Sequence, residues 1–326
     1  MISRLCSALV VAIAVALATV ARTQDGPATY PARTIRLVVP FPPGAGTDAI
    51  ARLVVQKLSE AMRATIVVDN RAGAGGAIGA VEVAKAEPDG YTLLFVASPF
   101  TTVAAASRNA GYDPLHQFVA VAPIAVGPLV FAVNASLGPE SMQEFIALAK
   151  AKPGQLNYGS AGTGSVNHLA LELLMARTGV KIVHVPYKGI APATVDLLSG
   201  RIQAVTASIP AALPYVSQHK LRALAVTGPR RSPLLPDVPT WREAGIENAE
   251  VLNYWGIVAP AGTPRAIVDK VNAYTRAVLA QPELKERLER EGAEVAADRP
   301  ERLNALLESD FARWKKLIVE AGLILD

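Results

Sequence analysis

A chain of 326 residues, 51% of them hydrophobic and 18% charged, carries enough apolar material for the cores of about two average domains. Its formal charge of +4 is spread along the chain without a basic block, which leaves nucleic acid no electrostatic footprint to bind. The single cysteine, Cys6, excludes a disulfide framework and a cysteine-rich zinc site.

The first predicted element is an export leader. Arg4 precedes an alanine-rich apolar run from Leu5 to Val20, and the polar stretch Arg22-Thr23-Gln24-Asp25 follows. One early positive charge, a short apolar run and small residues before the polar stretch predict a signal peptide over 1–21, cut after Ala18 or Ala21. The run is short for a membrane span of about 20 residues, so cleavage is favoured over anchoring. Cys6 precedes nearly all of the apolar run, which is the wrong place for a lipoprotein cysteine. Cleavage removes Arg4 and the only thiol, and thiol catalysis with it.

Beyond the leader, short β-branched runs alternate with longer helical ones. Strands are predicted at Thr34 to Pro40, Thr65 to Asp69, Tyr91 to Ala97, Leu156 to Gly159 and Ile182 to Val185. Helices are predicted at Thr47 to Met62, Ala77 to Ala86, Ser141 to Ala151, Ser165 to Arg177 and Ala191 to Ser199. This alternation predicts an α/β protein with parallel sheets covered on both faces, which bind ligands at the carboxyl ends of their strands.

The turn after the first strand reads Phe41-Pro-Pro-Gly-Ala-Gly-Thr-Asp48. Pro40, Pro42 and Pro43 stiffen it, and Gly44 and Gly46 let backbone N–H groups approach a ligand. Thr47 or Asp48 is the expected N-cap, with Ala49, Ile50, Leu53, Val54 and Leu58 giving helical spacing behind it. A stiff turn aimed by a helix N-terminus favours an anion. A Walker motif would need Lys-Ser/Thr after the last glycine, and Asp48 would repel a triphosphate. A carboxylate suits a few neutral donors better. The second glycine cluster, Gly73 to Gly79, is spaced GxGxxxG and reads as a tight helix start, not a dinucleotide site.

The stretch Ser160-Ala-Gly-Thr-Gly-Ser165 repeats the strand, turn and helix with hydroxyls added. Ser165 either caps the helix or contacts the ligand. A nucleophile elbow would need glycine where Tyr158 stands, so Ser160 is a poor nucleophile. His168, three residues into its helix, packs or caps rather than catalyses. His168 and Glu172 at i,i+4 supply two metal ligands without a third, so no metal is expected. His184 reads as a strand residue, and His116 and His219 as surface positions. In the turn at 184–200, Tyr187 offers a ring and a hydroxyl, while Lys188 either pairs with an anion or is solvated.

Five segments in order, "YPARTIRLVVPFPPGAGTDAIAR", "VVDNRAGAGGAIGAVEVAKAEPDGYTLL", "YGSAGTGSVNHLALELL", "VPYKGIAPATVDLLSGRI" and "WGIVAPAGTP", resemble the substrate-binding receptors of tripartite tricarboxylate transporters, the Bug family. The resemblance implies a two-lobed type II periplasmic binding protein, a Venus flytrap with a cleft between its lobes. Lobe 1 would be residues 31–127 plus 251–326, and lobe 2 residues 128–250. The terminal helices Pro264 to Ala280 and Pro300 to Ala321 would pack on lobe 1, with Trp314 in its core. The implied role is capture without chemistry and without a cofactor, by a monomer. A carboxylate would be held by Phe41, Pro43, Gly44, Ala45, Gly46 and Thr47 from one turn, and by Ser160, Gly162, Thr163, Ser165 and His168 from the other. Asp48 would orient the first turn. Ser98 and Thr101, Tyr187 and Ser208 would contact the rest of the ligand. Phe41, Phe100 and Tyr187 leave room for an aromatic ring.

The chain departs from the family pattern at Ala45, in the segment after Leu94, and at His116-Gln117. The acid therefore stays open among dicarboxylates, tricarboxylates, aromatic acids and amino acids, and the lack of an arginine clamp argues against a tricarboxylate. The partners implied are the membrane subunits of such a transporter or, alternatively, a sensor kinase. A hydrolase using Ser160 is the remaining alternative.

Overall fold

The structure is a computed structural model that describes residues 30–320 and residue 322; the predicted leader lies outside the described residues. The first part of the fold comprises β1 (Ile35–Val39), α1 (Gly46–Met62), β2 (Ile66–Asn70), α2 (Ala77–Ala84), β3 (Thr92–Ala97) and α3 (Pro99–Ala106). The 17-residue β4 (Phe118–Asn134) leads into α4 (Met142–Ala151), β5 (Asn157–Ser160), α5 (Val166–Thr178), β6 (Val183–Pro186), α6 (Ile190–Leu198), β7 (Ala204–Ser208), α7 (Ile209–Ser217) and β8 (Leu221–Val226). The chain then returns through β9 (Leu252–Pro260), α8 (Arg265–Leu279), α9 (Pro282–Arg290), β10 (Glu294–Val295) and α10 (Pro300–Glu320).

β1 lies between β2 and β3, all three parallel, and β3 pairs with β9 antiparallel. β9 in turn runs antiparallel to the first part of β4, from Phe118 opposite Pro260 to Pro128 opposite Leu252. Past Pro128 the same strand enters a second sheet, where Leu129 to Val133 face Ser208 to Ala204 of β7 and the other edge pairs with β8. β5 is parallel to both β6 and β7. The expectation of purely parallel sheets is thus corrected: each lobe has a parallel set, but the strands shared between lobes run antiparallel to their neighbours.

This register fixes where a ligand can sit. β3 and β4 both oppose β9, so β1 and β3 aim their carboxyl ends along β4 towards the second lobe. β7 opposes β4, so β5 and β7 aim theirs towards the first. The starts of α1, α3, α5 and α7 therefore meet across the middle of β4.

Apolar side chains fill both faces of each sheet. Leu37, Ile50, Val54, Phe95 and Ile257 form one cluster in the first lobe, and Val38, Leu94, Phe100 and Leu303 the other. Phe131, Phe145, Tyr158, Leu169 and Trp241 fill one side of the second lobe, and Val130, Leu197 and Val205 its opposite side. Burying each such side chain contributes about 1.5–3 kcal/mol. The last helix does not stay on lobe 1 as expected. At 21 residues α10 is about 30 Å long; its Leu303 and Leu307 pack on the first lobe, while Trp314, Leu317 and Ile318 enter the core of the second.

Candidate functional site

The turn Phe41–Ala45 follows β1 and ends at Ala45, the true N-cap, extended at φ −67° and ψ 156° with no side-chain cap. The expected caps, Thr47 and Asp48, are the second and third residues of the helix. The amides of Gly46 and Thr47 have no acceptor within the helix and open outward from its start. Asp48, 1% exposed, braces the turn. Its Oδ2 accepts from the Gly44 amide and from Arg52 Nε, each at 2.8 Å, and its Oδ1 accepts from Asn70 Nδ2 at 2.8 Å. Asn70 also donates to the Phe41 carbonyl at 3.0 Å. Burial opposes the charge on Asp48, but Arg52, Asn70 and the Gly44 amide outweigh it and hold the carboxyl below its ordinary range. The Gly44 N–H is thus spent inside the protein, and the Arg52 guanidinium beside the turn is bonded to Asp48. Trp255 Nε1 donates to Thr47 Oγ1 at 3.3 Å, orienting that hydroxyl.

The second turn enters its helix in the same way. Its N-cap, Ser165, sits at φ −67° and ψ 157°, and Gly164 before it has φ +76°, as Gly44 before Ala45 has φ +80°. Glycine alone takes that left-handed step without strain. Ser165 caps its helix: its Oγ accepts from His168 N at 3.3 Å and donates to the Gly162 carbonyl at 2.6 Å. Thr163 is exposed and Gly162 half-buried. Ser160 is fully buried; its Oγ accepts from Gly162 N at 3.1 Å and lies 2.6 Å from His184 Nε2. His184 is therefore more than a strand residue. Burial, then the neighbouring His168, push its pKa down to about 4 against the pull of Glu172, so at neutral pH the ring beside the serine hydroxyl is uncharged. A serine enclosed in this way has no exposed face for a substrate.

Several expected ligand contacts point elsewhere. Thr101 is fully buried, and its Oγ1 binds Asp310 Oδ2 at 2.6 Å and Tyr254 OH at 2.8 Å. Ser98 Oγ accepts from Tyr254 N at 3.1 Å, joining β3 to β9. His168 is 2% exposed with Nδ1 accepting from Gly164 N, so it supports the turn and does not line the cleft. Tyr187 is half-buried, and its hydroxyl donates to Asp196 Oδ2 at 2.8 Å. Phe100 is a core residue, stacked on Tyr112 and edge-on to Phe118, so it offers no ring to a ligand. Phe41 is partly buried against Gly76, Lys188 is exposed, and Ser208 is exposed at the end of β7 with no side-chain cap bond. His116 and His219 are exposed, as expected. Asn70, Trp255 and His184, which shape the turns, were missed because their partners lie on other elements, whereas Arg52 and Glu172 sit four residues from Asp48 and His168 on the same helices, a spacing weighed only for Glu172 and only as a metal pair.

A concavity of about 730 Å³ opens beside Pro128, lined by Arg230, Arg231, Lys285 and Arg290. Its cations are matched: Arg230 pairs with Glu294, Arg231 with Glu243 and Lys285 with Glu289. Among the described residues, no group of three His, Cys, Asp or Glu side chains is placed to hold a metal.

Two α/β lobes joined by strands, with helix starts facing across the junction, define a solute-binding protein of the Venus-flytrap class. Residues 50–323 match the model of the tripartite tricarboxylate transporter family receptors, and the chain belongs to that family. A Pseudomonas sp. (strain P51) protein from the tcbD–tcbE intergenic region is 40% identical over 309 residues, 94% of this chain and 92% of that protein. The R. palustris protein Rpa4515, solved with adipate, is 38% identical with a TM-score of 0.80, over 90% of this chain and 98% of that one. MatC from Rhodopseudomonas palustris, solved with bound malate, is 32% identical with a TM-score of 0.78, over 89% and 100%. The protein is a periplasmic transport receptor, not an enzyme.

Proposed function

We propose that the cleft holds a carboxylate group of a small organic acid between the turns Phe41–Thr47 and Ser160–Ser165, and that the loaded receptor delivers it to the membrane subunits of a tripartite tricarboxylate transporter. One observation carries this reading: two helix N-termini with nearly identical N-cap geometry follow strands that the register aims towards each other along β4, and neither turn contains a lysine or arginine. Amide donors and helix dipoles then supply the positive potential. Each neutral hydrogen bond is worth only about 1 kcal/mol net, so capture needs several acting together in a site closed from water. Lobe closure about β4 and β9 provides that enclosure. The adipate and malate of the related structures fit this chemistry, since both are small acids with two carboxylates. Thr163, Ser208 and the ring of Tyr187 would meet the remainder of the ligand.

Three further assignments belong to the same reading. The leader is cut after Ala18 or Ala21, the lobes divide at 127/128 and 250/251, and the receptor works as a monomer.

A thermal-shift series with adipate, malate, citrate and benzoate tests the function. An acid present at about 100 times its Kd stabilises by roughly 2.7 kcal/mol and raises the melting temperature by several degrees. Adipate or malate should do so more than citrate. A flat response to all four would overturn the reading.

A further inference from the structure

The two facing turns share more than their backbone. In each, the glycine before the N-cap donates its amide to the side chain four residues on: Gly44 to Asp48 Oδ2 at 2.8 Å, and Gly164 to His168 Nδ1 at 3.1 Å. In each, that side chain is buried and is secured by a charged residue four further on. Arg52 Nε lies 2.8 Å from Asp48, and Glu172 Oε1 lies 3.4 Å from His168 Nε2. One turn thus rests on a carboxylate held by a cation, the other on an imidazole held by an anion.

The second device is buttressed on every side. An N–H donated to Nδ1 leaves the proton of a neutral imidazole on Nε2, facing Glu172. Tyr158 OH donates to the same Glu172 oxygen at 2.7 Å. Burial opposes the Glu172 charge, but the bonds from His168 and Tyr158 and the nearby His184 hold its pKa below the ordinary value. The His168 and His184 rings stack with centroids 3.9 Å apart and an interplanar angle of 17°, and Tyr158 stacks on His184 at 5.0 Å. The two imidazoles therefore grip opposite ends of one turn: His184 meets Ser160 at its start, and His168 meets Gly164 at its end.

We propose that His168, aligned by Glu172 and stacked on His184, is a positioning residue that holds the Ser160–Ser165 turn in its ligand-ready form, the counterpart of Asp48 in the opposite lobe. By absorbing the Gly164 amide it fixes the turn into α5 and leaves the Val166 and Asn167 amides as the outward donors. The inference rests on the reading that this turn holds the carboxylate.

Two variants separate positioning from packing. His168→Asn keeps an acceptor atom close to the place of Nδ1, whereas His168→Leu keeps the volume and loses the acceptor. Amide hydrogen exchange at Gly164 reads the turn without any ligand, and titration with adipate and with malate reads its use. The expected result is slow Gly164 exchange in the wild type and in His168→Asn, lost in His168→Leu, with binding weakened roughly tenfold in the leucine variant and largely recovered in the asparagine variant. Equal behaviour of the two variants, or slow exchange retained in His168→Leu, would overturn the proposal. If exchange follows the expected pattern but the wild type binds neither acid, the holding role stands and the carboxylate reading falls.

Discussion

Asp48 shows how much of this site is built from residues that need not touch the ligand. Almost wholly buried, it stays ionised because three donors converge on it, and those donors belong to the turn, the helix and the neighbouring strand. Asp48→Ala should cost about 2–3 kcal/mol in urea unfolding, because the Asn70 and Gly44 donors lose a charged acceptor; a loss below about 0.5 kcal/mol would show that water replaces it freely. His184 makes a prediction in pH. Its pKa of about 4 lies below the ordinary 6.5, so between those values the unfolded chain binds a proton that the folded one refuses. Its contribution to stability is complete above pH 6.5 and declines as pH falls towards 4. His184→Gln should flatten the melting temperature against pH over that window, and an unaltered slope would assign the effect to other groups. The role of His184 was not legible in sequence. His184 reads as one more strand residue until the parallel register of β5 and β6 sets it opposite Tyr158. Thr101 looks like a cleft hydroxyl until Asp310, 209 residues later, turns out to be its partner.

The strand, turn and helix units were legible to within a residue or two, because their apolar periodicity and turn chemistry are local. The predicted helices at 47–62 and 165–177 fall at Gly46–Met62 and Val166–Thr178. The N-cap of α1 was misplaced because Thr47 and Asp48 are the preferred capping types, yet both side chains are engaged elsewhere, with Trp255 and with the Gly44 amide. β4 was harder to read, since Pro123, Gly127 and Pro128 are strand breakers by rule. Register shifts between Ala120 and Ala122, and between Pro123 and Ala125, absorb the irregularity. Gly127 has its own reason: a β-carbon there would lie 2.3 Å from the Gly292 carbonyl oxygen, where the chain approaches β10. Gly127→Ala should therefore destabilise by about 1–3 kcal/mol and lower the melting temperature by several degrees. An unchanged melting temperature would mean that the β10 segment yields without cost.

The two lobes are one mechanical system. β4 passes through both sheets, β9 returns beside it, and α10 seats Leu303 in one lobe and Trp314 in the other. A hinge of this kind permits closure while keeping the helix starts aimed at each other. Ligand should therefore shrink the radius of gyration in small-angle scattering, and a radius unchanged by a saturating acid would deny the closure. The α/β class and the carboxyl-end placement of the turns followed from the sequence pattern, but their mutual facing did not, because it depends on which strands run antiparallel to β4. That facing is the central claim, and amide-resolved NMR during an adipate titration tests it most directly. The account predicts the largest shifts in both turns together, at Gly46 and Thr47 and at Val166 and Asn167. Shifts confined to one turn, or centred on Arg230, Lys285 and Arg290 beside Pro128, would contradict it.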